Sequence, residues 1–208
     1  MARTETVTVY TFDELSDTAK ERARQWYREG IGPEEFEFVT EDAETILGML
    51  GVSLRYHDVP LMNGTTRRAP NLWWQVGYCQ SDGACFEGTY SYAKGAHRAI
   101  RKHAPQDTTL HRIADDLLEM QKRYRYGLVA TVTQRQGFSP DVEVDQTIGP
   151  NEISGEDCTA LKELVRDLCR WLYQQYRTED EYRTADEQVD ENIRANEYEF
   201  DADGDRWI

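Results

Sequence analysis

Apolar positions along the chain keep two rhythms, one near 3.6 residues and one of 2, and the changes between them mark out the elements. "VTVYTF" at 7–12 alternates and reads as a short strand. Thr11 and Glu14 have the spacing of a helix-capping box. Leu15, Ala19, Ala23, Trp26 and Tyr27 then share one helical stripe, which Gly30 and the Gly32-Pro33 pair end. A second helix is predicted over 38–50, with Ala43, Ile46, Leu47 and Leu50 inward and Gly51 as its stop. "VSLRYHDV" at 52–59 alternates again, and "PLMNGTTRRAPN" at 60–71 reads as a polar loop.

In "LWWQVGYCQSDGACFEGTYSY" two β-rich arms, 72–79 and 85–92, flank a loop containing Asp82-Gly83, a hairpin signal. Gly83 is expected to supply a positive φ there, and Ser81 and Asp82 to bond back to the turn backbone. Cys79 and Cys85 would then sit at facing ends of the arms. A basic stretch follows, with Lys94, Arg98, Arg101 and Lys102. A helix is predicted over 107–124, capped by Asp107, with Leu110, Ile113, Ala114, Leu117 and Leu118 as its stripe. "GLVATVTQRQG" and "PDVEVDQTI" read as two strands about a Gly-Phe-Ser-Pro turn. The longest helical period covers 154–175, where Cys158 and Cys169 join Leu161, Leu164, Val165, Leu168 and Leu172 as core positions. A thinner stripe of Tyr182, Ala185, Val189 and Ile193 continues or restarts the helix over 177–196. "EYEFDADGDRWI" closes the chain as a strand, turn and strand.

These elements predict a single α+β domain over 1–208, an antiparallel sheet with amphipathic helices packed on one face. The 72–92 hairpin is expected in that sheet, the helices at 12–29 and 154–176 are expected on its covered face, and an acidic helical region runs from about 177 to 208.

Charge then narrows the classes of function. The net charge is −15, with 39 acids against 24 Lys and Arg. That balance excludes a general affinity for nucleic acid backbone, which requires cations to displace counterions. It suits an acidic surface that docks on a basic partner protein. Residues 151–208 alone hold 17 acids and 7 Lys or Arg, a balance of −10. Glu179, Asp180, Glu181, Asp186, Glu187, Asp190 and Glu191 are the candidate contact residues, and the aromatics Trp73, Trp74 and Tyr78 form a second candidate surface. No apolar run approaches the ~20 residues of a membrane span. The first residues lack an apolar signal core, and four cysteines without one point to free thiols in a reducing cytoplasm.

Candidate chemistry is sparse. Cys79 and Cys85 fit a tight turn with two packed thiols, and a cross-strand disulfide, a zinc pair or a nucleophilic thiol with one of His57, His97, His103 and His111 are the alternatives. We expect them reduced and without metal. "DADGD" at 201–205 has Asp201, Asp203 and Asp205 at the alternate positions of a calcium loop, but Arg206 stands where that loop needs glycine, and a hairpin turn explains the same residues. No phosphate-binding loop, nucleophile elbow or zinc-protease motif occurs. We therefore assign no catalytic residue, metal or cofactor from the sequence.

Three stretches occur together and in order: "YTFDELSDTAKERARQWYRE", "SDGACFEG" and "NEYEFDADGDRW". In this combination the chain resembles a family of proteins encoded by phages, prophages and other mobile elements, some labelled as antitoxins of toxin–antitoxin stability systems. Ser81 stands where that family's middle motif commonly has glycine. The resemblance, taken with the charge, implies an inhibitor of a host defence protein, in the manner of anti-CRISPR proteins that occupy nucleic-acid grooves. An antitoxin-like binding module and an enzyme with an unrecognised site are the other classes it leaves open.

Overall fold

The computed structural model describes residues 8–146 and 153–207. Val7 of the first predicted strand, and the 147–148 end of the strand read over 140–148, lie outside them. In chain order the elements begin with β1 (Tyr10–Thr11), α1 (Asp17–Glu29), α2 (Glu37–Leu50), β2 (Val52–Leu54), β3 (Tyr56–Pro60), β4 (Thr66–Pro70), β5 (Leu72–Gln75), β6 (Gly83–Phe86) and β7 (Gly88–Ser91). They continue with α3 (Ala96–His103), α4 (Thr108–Arg123), β8 (Leu128–Gln136), β9 (Ser139–Gln146), α5 (Gly155–Thr184), α6 (Asp186–Ala195) and β10 (Glu199–Phe200). The strand pairs are antiparallel, and the fold is α+β. Two compact units divide the chain: residues up to Glu37 with those from Thr178 onward, and Phe38–Arg177.

The second unit is built on a four-stranded sheet in the order β2-β7-β8-β9. Leu128, Ala130 and Val132 of β8, Tyr90 of β7 and Val142 of β9 are buried, while Ser91 and Glu143 are exposed, so one face is covered and the other meets water. Gln121 of α4 fastens that helix to the sheet from a fully buried position. Its amide donates to the Leu128 carbonyl (2.8 Å) and to the Tyr90 hydroxyl (3.3 Å), and its oxygen accepts from the Leu128 N–H (3.2 Å). Asp107 caps α4 by accepting from Leu110 N–H, and its second oxygen accepts from the buried Trp171 indole of α5 at 2.6 Å. Cys169 on the same helix is buried, whereas Cys158 is only half-buried, because it lies in the more exposed first turn of α5.

Two further elements of this unit have little periodicity. The segment read as a polar loop contains β4, which pairs residue by residue with β3 from Tyr56↔Pro70 to Pro60↔Thr66. Both strands are largely exposed, so no alternation of burial marks them. The basic stretch after residue 94 is the helix α3, in which only Ile100 is buried.

The 72–92 hairpin forms only in part and outside the expected sheet: β5 and β6 make a separate two-stranded sheet, while β7, the rest of the second arm, pairs with β2 and β8 in the four-stranded one. β5 pairs with β6 as Leu72↔Phe86, Trp73↔Cys85, Trp74↔Ala84 and Gln75↔Gly83, so the loop is 76–82 and Gly83 opens the second strand. The positive φ falls on Tyr78 (55°), and Gly83 needs its missing side chain for another reason. A Cβ there would stand 2.7 Å from the Cβ of Phe138, at the tip of the β8–β9 hairpin. Cys85 is buried opposite Trp73 while Cys79 lies exposed in the loop, so the two thiols do not face each other.

The first unit is closed by β1 and β10, which pair as Tyr10↔Phe200 and Thr11↔Glu199. Its core is Phe12, Leu15, Ala19, Ala23, Val189, Ile193 and Phe200. The stripe of α1 is therefore buried against α6 and β10, inside its own unit. Its two alanines let α6 approach closely enough for Val189 and Ile193 to fill the space. The capping box of Thr11 and Glu14 is present, but it caps a 3-10 turn at Phe12–Glu14, and Ser16 caps α1 by accepting from Ala19 N–H at 3.3 Å. "DADGD" is a hairpin turn: Asp201 Oδ1 accepts from the amides of Asp203 (2.9 Å) and Asp205 (3.0 Å), and Phe200 bridges to Arg206. Gly204 has φ +89°, and a Cβ on it would meet the Ala19 carbonyl oxygen at 2.1 Å, so only glycine lets this turn rest on α1.

Gly83→Ala is expected to cost about 1–3 kcal/mol, because Phe138 is touched at its Cβ and cannot swing aside without moving the hairpin tip. Urea unfolding measures it. A loss below about 0.5 kcal/mol, the range of ordinary surface changes, would mean that the two hairpins do not pack as described.

Candidate functional site

The charge of the chain is concentrated in one unit. Residues 1–37 and 178–208 together hold 21 acids and 8 Lys or Arg, a balance of −13, which leaves −2 for residues 38–177 with 18 acids and 16 Lys or Arg. All seven acidic candidates lie in the first unit, on the end of α5 and on α6, and the structure gives them different roles. Asp190 takes the Arg24 guanidinium in a two-point pair, with Nε at 2.7 Å and Nη2 at 2.9 Å. Asp186 accepts from Arg28, and Glu179 from Arg183 at 2.6 Å. Asp180 is half-buried, and its carbonyl accepts from the Thr184 hydroxyl at 2.7 Å. Glu181, Glu187 and Glu191 are exposed.

The arrangement has a simple electrostatic cause. α1 and α6 pack through apolar stripes, and the acids flanking those stripes would repel across the seam. Arg24 and Arg28, one turn apart on α1, stand between them. The Arg24 guanidinium beside Asp190 holds that carboxyl below the usual carboxylate range. Arg194 on α6 reaches Asp13 at 2.9 Å, and Arg22 on α1 reaches Asp205 at 2.8 Å. The described N-terminal residues thus add eight exposed acids to the acidic surface expected only after residue 177. Composition of the first 37 residues, 9 acids against 5 Lys or Arg, is the signal that could have found it.

The aromatic candidates belong to the other unit. Trp73 is half-buried on β5 opposite Cys85, and Trp74 stacks on Tyr176 with centroids 4.5 Å apart and planes at 13°. Tyr78 is exposed, with the Arg177 guanidinium 5.9 Å from its ring centre. The loop that carries Tyr78 is organised by Asp82, whose carboxylate accepts from the amides of Gly77 (3.0 Å) and Cys79 (3.1 Å) and from the Cys79 thiol (3.2 Å). Those bonds, the Gly77 amide first, lower its proton affinity.

Beside this loop lies a cleft of about 450 Å³ lined by Ser81, Phe138, Arg166, Cys169, Arg170 and Tyr173 among others. Its chemistry is quiet. Burial pushes the Cys169 thiol up to about 12 and the neighbouring Cys85 thiol up to about 11, so both stay protonated and weakly nucleophilic at neutral pH. Arg166 is paired with Glu163, and Arg170 with Asp167 at 2.5 Å. Among the described residues no three His, Cys, Asp or Glu side chains converge as metal ligands, and no helix is long and apolar enough to cross a membrane.

The depressed proton affinity of Asp190 makes the acidic unit pH-dependent. A lowered carboxyl contributes stability that is fully present above its unfolded value near 3.9 and is lost as pH falls through the lower folded value. Asp190→Asn is expected to cost about 1–2 kcal/mol at pH 7, and to flatten the loss of stability below about pH 4. Amide exchange in α1 and α6, compared at pH 6 and in acid, reads both effects. An Asn variant with unchanged exchange at pH 6 would show that the pair does not hold the seam.

No curated protein and no solved structure matches the chain. A family model described as a domain of unknown function, DUF8835, matches residues 36–186, which contain the whole second unit and the end of α5. Most of the acidic unit lies outside the matched span. By that match the chain belongs to the DUF8835 family, a family described only as a domain of unknown function.

Proposed function

We propose that the chain is a non-enzymatic binding protein that docks through its acidic unit on a basic surface of a host protein in the cytoplasm. We further propose that this partner is a nucleic-acid-binding defence complex, which the chain inhibits by occupying a groove that otherwise holds nucleic acid. The observation that carries the reading is the concentration of a −13 balance in 68 of the 208 residues. Glu187 and Glu191 are exposed on that unit, on the same helix, and Glu181 is exposed at the end of α5. Two of the three stretches that resemble phage-encoded proteins, the first and the last, belong to the same unit. A surface of this kind steers a cationic partner at long range and weakens as salt screens it.

The test is capture of the tagged chain from host lysate, followed by association kinetics with the captured protein. Reversing Glu181, Glu187 and Glu191 to Lys is expected to slow association at least about tenfold at low salt, a difference that shrinks as salt is raised. Folding stability should change by no more than about 1 kcal/mol, since exposed charges contribute little and Glu187 adds only a helix-start interaction. Equal rates for parent and variant, with no salt effect on either, would falsify acidic docking. A captured small toxin without a basic face would instead favour the antitoxin reading.

A further inference from the structure

A pocket of about 270 Å³ opens within the acidic unit, bounded by the end of α1, the turn that follows it, and residues of α5, α6 and the segment before β10. Its walls are the rings of Trp26, Tyr27 and Tyr198. Trp26 meets Tyr198 edge-on at 5.2 Å and 88°, and Tyr27 at 6.3 Å and 68°, while Tyr27 and Tyr198 stand 6.5 Å apart at 50°. Three rings set at such angles form a corner, not a stack. They are half-buried: each packs one part against the small core of the unit and leaves another open to the pocket.

The polar groups of the pocket are Glu35, Arg183 and Asn192. The Arg183 guanidinium is held between two carboxylates, Glu35 at 2.5 Å and Glu179 at 2.6 Å, so this group carries one more negative than positive charge. A cation already rests on two rings of the same aromatic corner. The Arg206 guanidinium, which does not line the pocket, stands 4.6 Å from the Tyr198 centroid and 5.7 Å from that of Trp26, with Nη1 donating to the Glu199 carbonyl at 2.9 Å. Ring faces attract cations through their quadrupoles, and Trp and Tyr do so most strongly. An anion would meet the surplus carboxylate, and a purely apolar ligand would strip water from the half-exposed Glu35 carboxylate without replacing its bonds.

We infer that this pocket is a receptor for one organic cation, the ammonium or guanidinium end of a lysine or arginine side chain on the partner protein. The aromatic corner takes the cation and its stem, and Glu35 takes the charge from the rim. Rigid aromatic pockets of this kind are the usual anchors of protein interfaces. That the cation comes from a partner rests on the docking role proposed above, whereas recognition of the cation does not.

The experiment is a titration of the ¹⁵N-labelled full chain with Nα-acetyl-arginine methylamide and Nα-acetyl-lysine methylamide, with the neutral citrulline analogue as comparator. The expected result is that the Trp26 indole N–H and the Asn192 side-chain amide signals shift and saturate with a cationic probe, and respond at least fivefold more weakly to citrulline. Glu35→Gln should weaken binding at least threefold, Tyr198→Leu should abolish it, and Tyr198→Phe, which keeps the ring and controls for folding, should retain it. Equal midpoints for arginine and citrulline probes, or no shift with either cation, overturn the inference. If the charge reversals on Glu181, Glu187 and Glu191 slow partner association but Tyr198→Leu does not, the anchor is overturned and the docking role stands.

Discussion

The acidic unit depends on the pair between Arg24 and Asp190. Helices from opposite ends of the chain meet there, each with carboxylates flanking its apolar stripe. Two side chains that are mostly shielded from water attract more strongly than exposed ones, because less solvent screens them. The guanidinium matches the carboxylate at two points and so fixes the rotation of α6 on α1 as well as its distance. Arg28 repeats the device one turn along with Asp186 and with the Thr184 carbonyl at 3.0 Å.

A division of charge follows from that geometry. Arginine is concentrated where carboxylates come near the seams, on Asp190, Asp186, Glu179 and Asp13, while Glu187 and Glu191 face water. The core beneath is small and closely packed: Gly204 rests against the Ala19 carbonyl with no room for a Cβ, and Ala23 is fully buried. Phe12 sits in that core with the cationic groups of Lys20, Arg24 and Arg194 within 6 Å of its ring centre, so the cations that neutralise the seam also cover the ring. The same preference for cations over aromatic faces recurs at Trp26 and Tyr198, which is why the pocket and the acidic surface are parts of one electrostatic design.

Much of the fold was legible because burial wrote a period into the sequence. α2, α4 and α5 carry wide apolar stripes and lie close to where the spacing puts them. β4 and α3 were not legible, since a largely exposed strand shows no alternation and a helix with one buried residue shows no stripe. The hairpin arms were readable, but Asp82-Gly83 suggested a tight turn at a place where Gly83 is needed for the approach of Phe138, a residue 55 positions away. The acidic candidates were found by composition alone. Which of them are engaged depended on Arg24 and Arg28, whose partners lie 166 and 158 positions along the chain, and no local pattern carries that information. The pocket escaped for the same reason, its rings coming from Trp26, Tyr27 and Tyr198 at opposite ends of the sequence.

The acidic unit is proposed to hold more outward negative charge than its internal pairs compensate. Amide exchange in α1 and α6, at Ala23 and Ile193, tests it directly when followed against sodium chloride at constant pH. Between about 0.01 M and 0.3 M salt the Debye length falls from about 30 Å to under 10 Å. Repulsion among exposed acids is then screened, while the shielded Arg24–Asp190 pair is screened less. Protection in both helices is therefore expected to rise with salt. Protection that falls or stays level would mean that attractive pairing already balances the surface, and that no surplus charge is held out for a basic partner.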